Sequence, residues 1–293
     1  MCGIIGYVGR QPALPILLGG LRRLEYRGYD SAGIALQEPS GQLTTVRAVG
    51  KVARLTEKVN VQLPPAAQVA AQTGIAHTRW ATHGAPTEAN AHPHAAAAGR
   101  LCLVHNGIIE NYRSIRARLE AKGHIFVSET DTEALARLIG EHYQGDLRKA
   151  VGQALAQVEG AYGIAVLAVD QPGVLVVARK GSPLVLGLGD GETLVASDAA
   201  ALVAHTRRVI YLDDGDIAVL TAESVDIRDR HDVIREREVA ELGLTAGAVE
   251  KGGYAHFMLK EIYEQPESVR NALRGRLDAE HGTAVLAGMG TSS

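Results

Sequence analysis

The chain has 293 residues, 46% of them hydrophobic, with a net charge of -3 at neutral pH and a pI near 6.4. Such a chain holds enough apolar material for a sizeable core, and the lack of a basic excess excludes the phosphate-neutralising surface that nucleic-acid binding needs. Its two cysteines, Cys2 and Cys102, make no disulfide framework, and its longest apolar stretches, "YGIAVLAV" and "PGVLVVA", fall well short of the roughly 18 residues of a membrane span.

In chain order, "GIIGYVG" from Gly3 is β-branched, aliphatic and bounded by glycine, which predicts a buried strand almost at the terminus. "PALPILLGGLRRLEYRG" carries a helical stripe of Leu14, Leu17, Leu18, Leu21 and Leu24 that ends in basic residues and Gly28, a candidate C-terminal cap. Strands follow at "AGIALQ", "LTTVRAVG", "GIAHTRW" and "LCLVHNG", then helices at "IIENYRSIRARLEAKG", "TDTEALARLIGEHYQG" and "LRKAVGQALAQVEG". A cluster of short strands closes the region: "GIAVLAVD", "GVLVVARKG", "TLVASD", "VIYLDDG" and "DIAVLT", separated by Gly, Pro and Asp turns. Hairpin-like runs of strands with helices packed outside point to an α+β layered fold. From about Arg228 the composition turns to charge, and the final "AVLAGMGTSS" reads as a strand entering a glycine turn with hydroxyl residues. The expected division is 2–240 as one domain, 241–283 as a linker and 284–293 as the cut-off start of another. Nothing at the N-terminus resembles a secretory leader, so the chain is expected in the cytoplasm, with no membrane role.

Removal of Met1 would leave Cys2 with both a thiol and a free α-amine of pKa about 7.7 to 8.0, a nucleophile and a base in one residue. Its bland reading is a small apolar residue opening a strand, and Cys102, among strand residues in "LCLVHN", receives that reading outright. In "HTRWATHG", Arg79 at a strand end suits bidentate capture of a carboxylate, against the alternative of a solvated surface arginine. Asn106 and Gly107 in "LVHNG" can supply two N–H donors to a developing oxyanion, or can simply be an Asn-Gly hairpin turn. In "SETDTEALA", Thr130 or Asp131 can cap a helix, and Asp131 can equally hold an ammonium group.

Cys2-Gly3-Ile4, "EYRGYDSAG", "HTRWATHG", "NAHPH", "HNGIIEN" and "SETDTE" together resemble the class II glutamine amidotransferases, within them the branch that aminates fructose 6-phosphate. The resemblance covers residue 2 to about 240 and continues into "KEIYEQP". Relatives that feed ammonia to phosphoribosyl pyrophosphate or aspartate share the terminal Cys-Gly-Ile but lack "RWATHG" together with "NAHPH". The resemblance implies a four-layer αββα N-terminal-nucleophile hydrolase sandwich of two antiparallel sheets. It implies that Cys2 forms a γ-glutamyl thioester with L-glutamine, releasing ammonia, without metal or cofactor. By position, Asn106 and Gly107 would form the oxyanion hole, Arg79 would bind the α-carboxylate and Asp131 the α-ammonium. Trp80, Thr82 and His83 would line the same pocket, with Trp80 near the ammonia exit. Arg27 and His92 match positions near the site, where support is as plausible as substrate contact. Thr291 and Ser292 resemble the first sugar-phosphate loop of the family's isomerase domain, with Met289 where a cysteine is usual. The rest of that domain, the partner for fructose 6-phosphate and the source of the family's homodimer contacts, is expected to be missing.

Two rival readings stand beside this one. Among the chain's 11 histidines, His92 and His94 with His83 could ligate a catalytic zinc, but this leaves Cys2 and the Asn-Gly pair without a purpose. A glutamine-sensing module would need the same pocket residues but not the terminal thiol.

Overall fold

The computed structural model describes residues 2–65 and 68–243 and, beyond them, residues 254, 258–259, 262–263, 265–266, 277–278 and 283–284. The chain divides into two units at residue 246. In the first, the elements run β1 (Gly3–Gly9), α1 (Ala13–Leu24), β2 (Ser31–Gln37), β3 (Leu43–Val49), α2 (Val52–Gln62), β4 (Thr73–Arg79), β5 (His94–Ala96) and β6 (Leu101–Ile109). Helices α3 (Tyr112–Ala121), α4 (Asp131–His142) and α5 (Leu147–Leu155) follow, then β7 (Gly160–Ala168), β8 (Leu175–Lys180), β9 (Val185–Leu188) and β10 (Glu192–Ala196). The unit ends with β11 (Arg208–Tyr211), β12 (Ile217–Leu220), β13 (Val225–Arg228) and β14 (Ala240–Glu241).

Two sheets result, ordered β14-β11-β9-β10-β1-β4-β2-β3 and β13-β12-β8-β7-β6-β5. Their ladders are antiparallel. The period-2 alternation of side chains explains how they stack. In β1, Ile5 and Tyr7 join α1 residues such as Leu14, Leu17 and Leu21, whereas Ile4 and Val8 turn to the opposite face and meet Val104, Leu167 and Val177. In β6 and β7, Leu103 and Val166 pack under Leu135, Leu138 and Ile139 of α4, while Cys102 and Ala165 point between the sheets. Strands covered on both faces have no polar side, which is why "GIIGYVG" and "GIAVLAV" read as unbroken apolar runs. Each large side chain so buried contributes about 1.5–3 kcal/mol relative to leaving it in water. The architecture is therefore helix, sheet, sheet, helix, the expected αββα sandwich.

Three sequence expectations need correction. The helix read from Ile108 begins only at Tyr112, because Ile108 and Ile109 continue β6 opposite Ala161 and Gly160. α1 itself ends at Leu24, and Gly28, extended at φ -176°, instead caps the 3-10 turn Glu25–Arg27 that follows, its N–H donating to the Glu25 carbonyl; glycine is needed there because a Cβ would lie 2.8 Å from the Arg79 carbonyl carbon. Helix α2 and strands β5, β9, β13 and β14 were not foreseen; α2 buries only Val52, Leu55 and Val59, and the strands have two to four residues. In the second unit, Leu277–Asp278 pairs antiparallel with Thr283–Ala284. Met1, Thr291 and Ser292 lie outside the described residues.

Candidate active site

The site forms where strand ends of both sheets converge. β1 pairs with β4 with Gly3 opposite Thr78, so Cys2 arrives beside the end of β4. There the Trp80 N–H donates to Cys2 Sγ at 3.2 Å, and the thiol lies 3.6 Å from the Trp80 carbonyl. The Cys2 carbonyl accepts from Arg27 Nε–H and from Asn106 Nδ2–H, each at 3.1 Å. Arg27 is itself tied to Asp198 at 3.0 Å, and the Ile4 N–H donates to Ser197 Oγ at 3.0 Å. These contacts span the chain, so the terminus is held by tertiary structure. Burial pushes the Cys2 thiol pKa up, against the opposing pull of the Trp80 N–H and the Arg79 charge. A thiol in that state needs a base to become a nucleophile.

Asn106 and Gly107 are not a hairpin turn: they lie within the β6–β7 ladder, opposite Gly163 and Tyr162. Gly107 has φ +127°, and a Cβ there would stand 2.1 Å from the Ala161 carbonyl oxygen, so only glycine fits. The Asn106 side chain presents its NH₂ edge toward Cys2 while its Oδ1 accepts from His77 Nε2–H at 3.0 Å.

Arg79, nearly fully buried, donates to the carbonyls of His83, Gly84 (3.1 Å) and Ala85 (3.3 Å), so its guanidinium shapes the loop after β4. Asn90 reinforces this loop through Ala85 O and Glu129, both at 2.9 Å. Facing Arg79 is Asp131 at the first position of α4. Its Oδ2 accepts from the Ile109 N–H at 2.9 Å, and Thr130 takes the capping role by accepting from the Glu133 N–H. Burial pushes the Glu133 carboxyl up, but Ser128, Val127 and Arg137 outweigh it and hold the group below the ordinary carboxylate range.

Cys2, Arg79, Trp80, Thr82, His83, His92, Gly107 and Asp131 thus line one narrow cleft. It opens at Cys2, Trp80, Thr82 and Gly107 into a second cavity of about 410 Å³ that Arg27 and Asn106 also line. A buried cation and a buried anion on either side of a thiol and its two N–H donors suit a zwitterionic substrate carrying a carbonyl. His83 is only half-buried, its ring edge-on to Tyr112, and Trp80 is half-exposed, edge-on to Tyr29.

The histidines resolve differently from the metal reading. His92 Nδ1 accepts the His105 N–H at 3.3 Å and its ring stacks on His77 at 4.0 Å, while His94 Nε2 hydrogen-bonds Thr130 Oγ1 at 3.0 Å. Among the described residues no His, Cys, Asp and Glu group is arranged to hold a metal. Sequence reading offered Thr130 only as a helix cap and missed His77, His105 and Thr132 as parts of the site's framework, and Ser197 and Asp198 as anchors of the terminus. Their signal was present only as position: each adjoins a residue already singled out or follows a strand.

The glutamine amidotransferase domain family model matches residues 65–256. A glutamine--fructose-6-phosphate aminotransferase [isomerizing] from Chlorobaculum tepidum is 50% identical over 293 residues, 99% of this chain and 47% of that protein. One from Thermus thermophilus is 54% identical over 286 residues, 98% of this chain and 46% of that protein. The chain therefore spans about half the length of the curated relatives it matches. Among solved structures, a glutamine phosphoribosylpyrophosphate amidotransferase from B. subtilis superimposes with TM-score 0.67 at 26% identity, covering 78% of this chain and 49% of that one. The terminal thiol, the strand-borne Asn-Gly pair, the sandwich and the family match agree: the chain belongs to the glutamine amidotransferase domain family.

Proposed function

We propose that this chain hydrolyses the side-chain amide of L-glutamine through a thioester on Cys2. The observation that carries the reading is the convergence of Cys2, Gly107, Arg79 and Asp131 on one cleft, with Asn106 lining the cavity into which that cleft opens at Cys2 and Gly107. With Met1 removed, the Cys2 α-amine takes the thiol proton as sulfur adds to the amide carbon, and the carbonyl electron pair moves onto oxygen. Asn106 Nδ2–H and the Gly107 N–H stabilise that oxyanion. Collapse expels ammonia, which carries away the proton from the α-amine, and leaves a γ-glutamyl thioester. Water then adds to the thioester through a second oxyanion, releasing glutamate and regenerating the thiol. Arg79 holds the substrate carboxylate, Asp131 its ammonium, and Thr82, His83 and Trp80 close the cleft around them. Arg27 and His92 support the terminus and the cleft wall.

In the full-length protein the ammonia passes to fructose 6-phosphate, making glucosamine 6-phosphate. The names of the curated relatives and their identity of 50% and 54% to this chain support this. Thr291 and Ser292 are assigned to the sugar phosphate, and the full-length enzyme is taken to be a cytoplasmic homodimer. No helix among the described residues is long and apolar enough to cross a membrane.

The test is mass spectrometry of the purified chain with an electrophilic glutamine analogue, alongside a glutamate-release assay. The mature chain should begin at Cys2, carry one label there and turn over glutamine, whereas Cys2→Ala should do neither while keeping its fold. Turnover by Cys2→Ala would overturn the assignment.

A further inference from the structure

Two main-chain carbonyls near the site, those of His105 and Cys2, fix the orientation of the Asn106 side chain. His77 is completely buried in β4 and lines neither cavity. Its Nε2 lies 3.1 Å from the main-chain oxygen of His105, which can only accept, so Nε2 must carry the proton. The same Nε2 lies 3.0 Å from the Asn106 side chain, so the atom facing it must be the carbonyl Oδ1. The NH₂ group then points the other way, toward the Cys2 carbonyl at 3.1 Å, another atom that can only accept. His77 Nδ1 is buried with no partner, so moving the proton to it would bury an unsatisfied donor and set a lone pair against two oxygens. Stacking on His92 at 4.0 Å holds the plane of the ring.

We propose that His77 is the positioning residue of the oxyanion hole: its Nε2–H clamps Asn106 Oδ1 so that the amide offers only its N–H edge to the atom that becomes negative. One Asn106 N–H is engaged by the Cys2 carbonyl, and the other is directed at the developing charge. Without the clamp the amide can rotate by about 180° and present oxygen to the oxyanion, converting a stabilising contact into a repulsive one. Loss of a single oxyanion donor lowers kcat on the order of 10² to 10³-fold, which bounds the effect. Binding of the ground-state substrate, set by Arg79 and Asp131, should not depend on His77.

The inference rests on the proposed hydrolysis and is tested on the Met1-processed full chain, wild type against His77→Ala and His77→Gln. Three quantities are measured: glutamine turnover, affinity for an aldehyde analogue of glutamine, and iodoacetamide alkylation of both cysteines by mass spectrometry. The aldehyde adds Cys2 sulfur to its carbonyl carbon, the thiol proton passing to the new hydroxyl, and so places a tetrahedral oxygen in the hole. Iodoacetamide reacts at a saturated carbon and needs no oxyanion hole, and Cys102, buried between the sheets, becomes reactive only if the fold opens.

His77→Ala should lose on the order of 10²-fold in kcat with KM within about threefold, and the same factor in aldehyde affinity. Cys2 should alkylate at the wild-type rate and Cys102 stay protected. His77→Gln, which keeps an N–H donor, should retain about tenfold more turnover than His77→Ala. A kcat and aldehyde affinity within about threefold of wild type, or a fall in kcat with aldehyde affinity unchanged, would overturn the clamp. If His77→Ala exposes Cys102, two measurements decide instead. The first is the Gln variant, by the same criteria. The second is the wild-type ¹⁵N NMR tautomer of His77, where a proton on Nδ1 overturns the proposal. A wild-type chain that neither turns over glutamine nor binds the aldehyde would sink the proposed function, whereas an active wild type with unaffected variants sinks only the clamp.

Discussion

Acid should unfold this protein through its histidines before its carboxylates titrate. His77, His92, His94 and His105 are all buried, and burial holds each of them neutral, with His77 and His94 pulled down to about 3. The unfolded chain titrates these groups near 6.5, so below that pH it takes up protons that the folded chain refuses. Their contribution to stability is complete above about pH 6.5 and drains as the pH falls toward about 3. For His77 and His94 this amounts to about 1.4 kcal/mol per pH unit each, about 2 kcal/mol each between pH 7.5 and 5.0 and so about 4 kcal/mol for the two, with His92 and His105 acting in the same direction. That is a large share of the whole stability of an ordinary domain, about 5–15 kcal/mol. Ordinary carboxylates enter only below about pH 4.5, leaving the window to the imidazoles. Urea unfolding followed by circular dichroism at pH 7.5, 6.0 and 5.0 measures the loss directly, and His94→Gln should reduce the pH slope by about one histidine's share. A stability unchanged within about 1 kcal/mol across that range would show that these imidazoles are charged or solvated in the folded state.

Other outcomes follow from single contacts. Gly107→Ala forces a side chain into a φ of +127° and against the Ala161 carbonyl, so about 2–5 kcal/mol should be lost together with most turnover. Gly123→Ala, at φ +89° with open space around it, should lose only about 1 kcal/mol; equal losses would show that close approach is not what requires glycine at 107. Arg79→Lys should raise KM for glutamine on the order of tenfold or more, as lysine cannot offer a planar fork or bridge the His83, Gly84 and Ala85 carbonyls; an unchanged KM would reject the carboxylate role. An N-terminal extension that blocks Met1 removal turns the Cys2 amine into an amide without basicity, so glutamate release should fall at least about 10²-fold. Full activity of the extended chain would remove the amine from the mechanism.

Much of the fold was legible because burial on both faces erases alternation. β1, β6 and β7 announce themselves as apolar runs, and the stripe of α1 has the spacing of a helix covering one sheet face. Short strands such as β9, inside its sheet, and β13, at a sheet edge, carry too few residues for any period to emerge. The break between β6 and α3 was misplaced for another reason: Ile108 and Ile109 suit either state, and the partner strand β7 together with Asp131 decided between them.

The site divides in the same way. Residue chemistry marked Cys2, Arg79, Asn106, Gly107 and Asp131 as candidates, each beside a bland alternative, and it was their joint resemblance to the amidotransferases that gave them roles. Composition and spacing could not show that His77 faces Asn106, that the Arg79 guanidinium braces its own loop, or that Ser197 and Asp198 anchor a terminus almost 200 positions earlier, a separation of 193 residues for Ile4 and Ser197. Those are distances between side chains remote in sequence, and they exist only once two sheets have stacked. What a group can do chemically is carried by its type; which proton it shares, and with what, is decided by the neighbours that packing brings within about 3 Å.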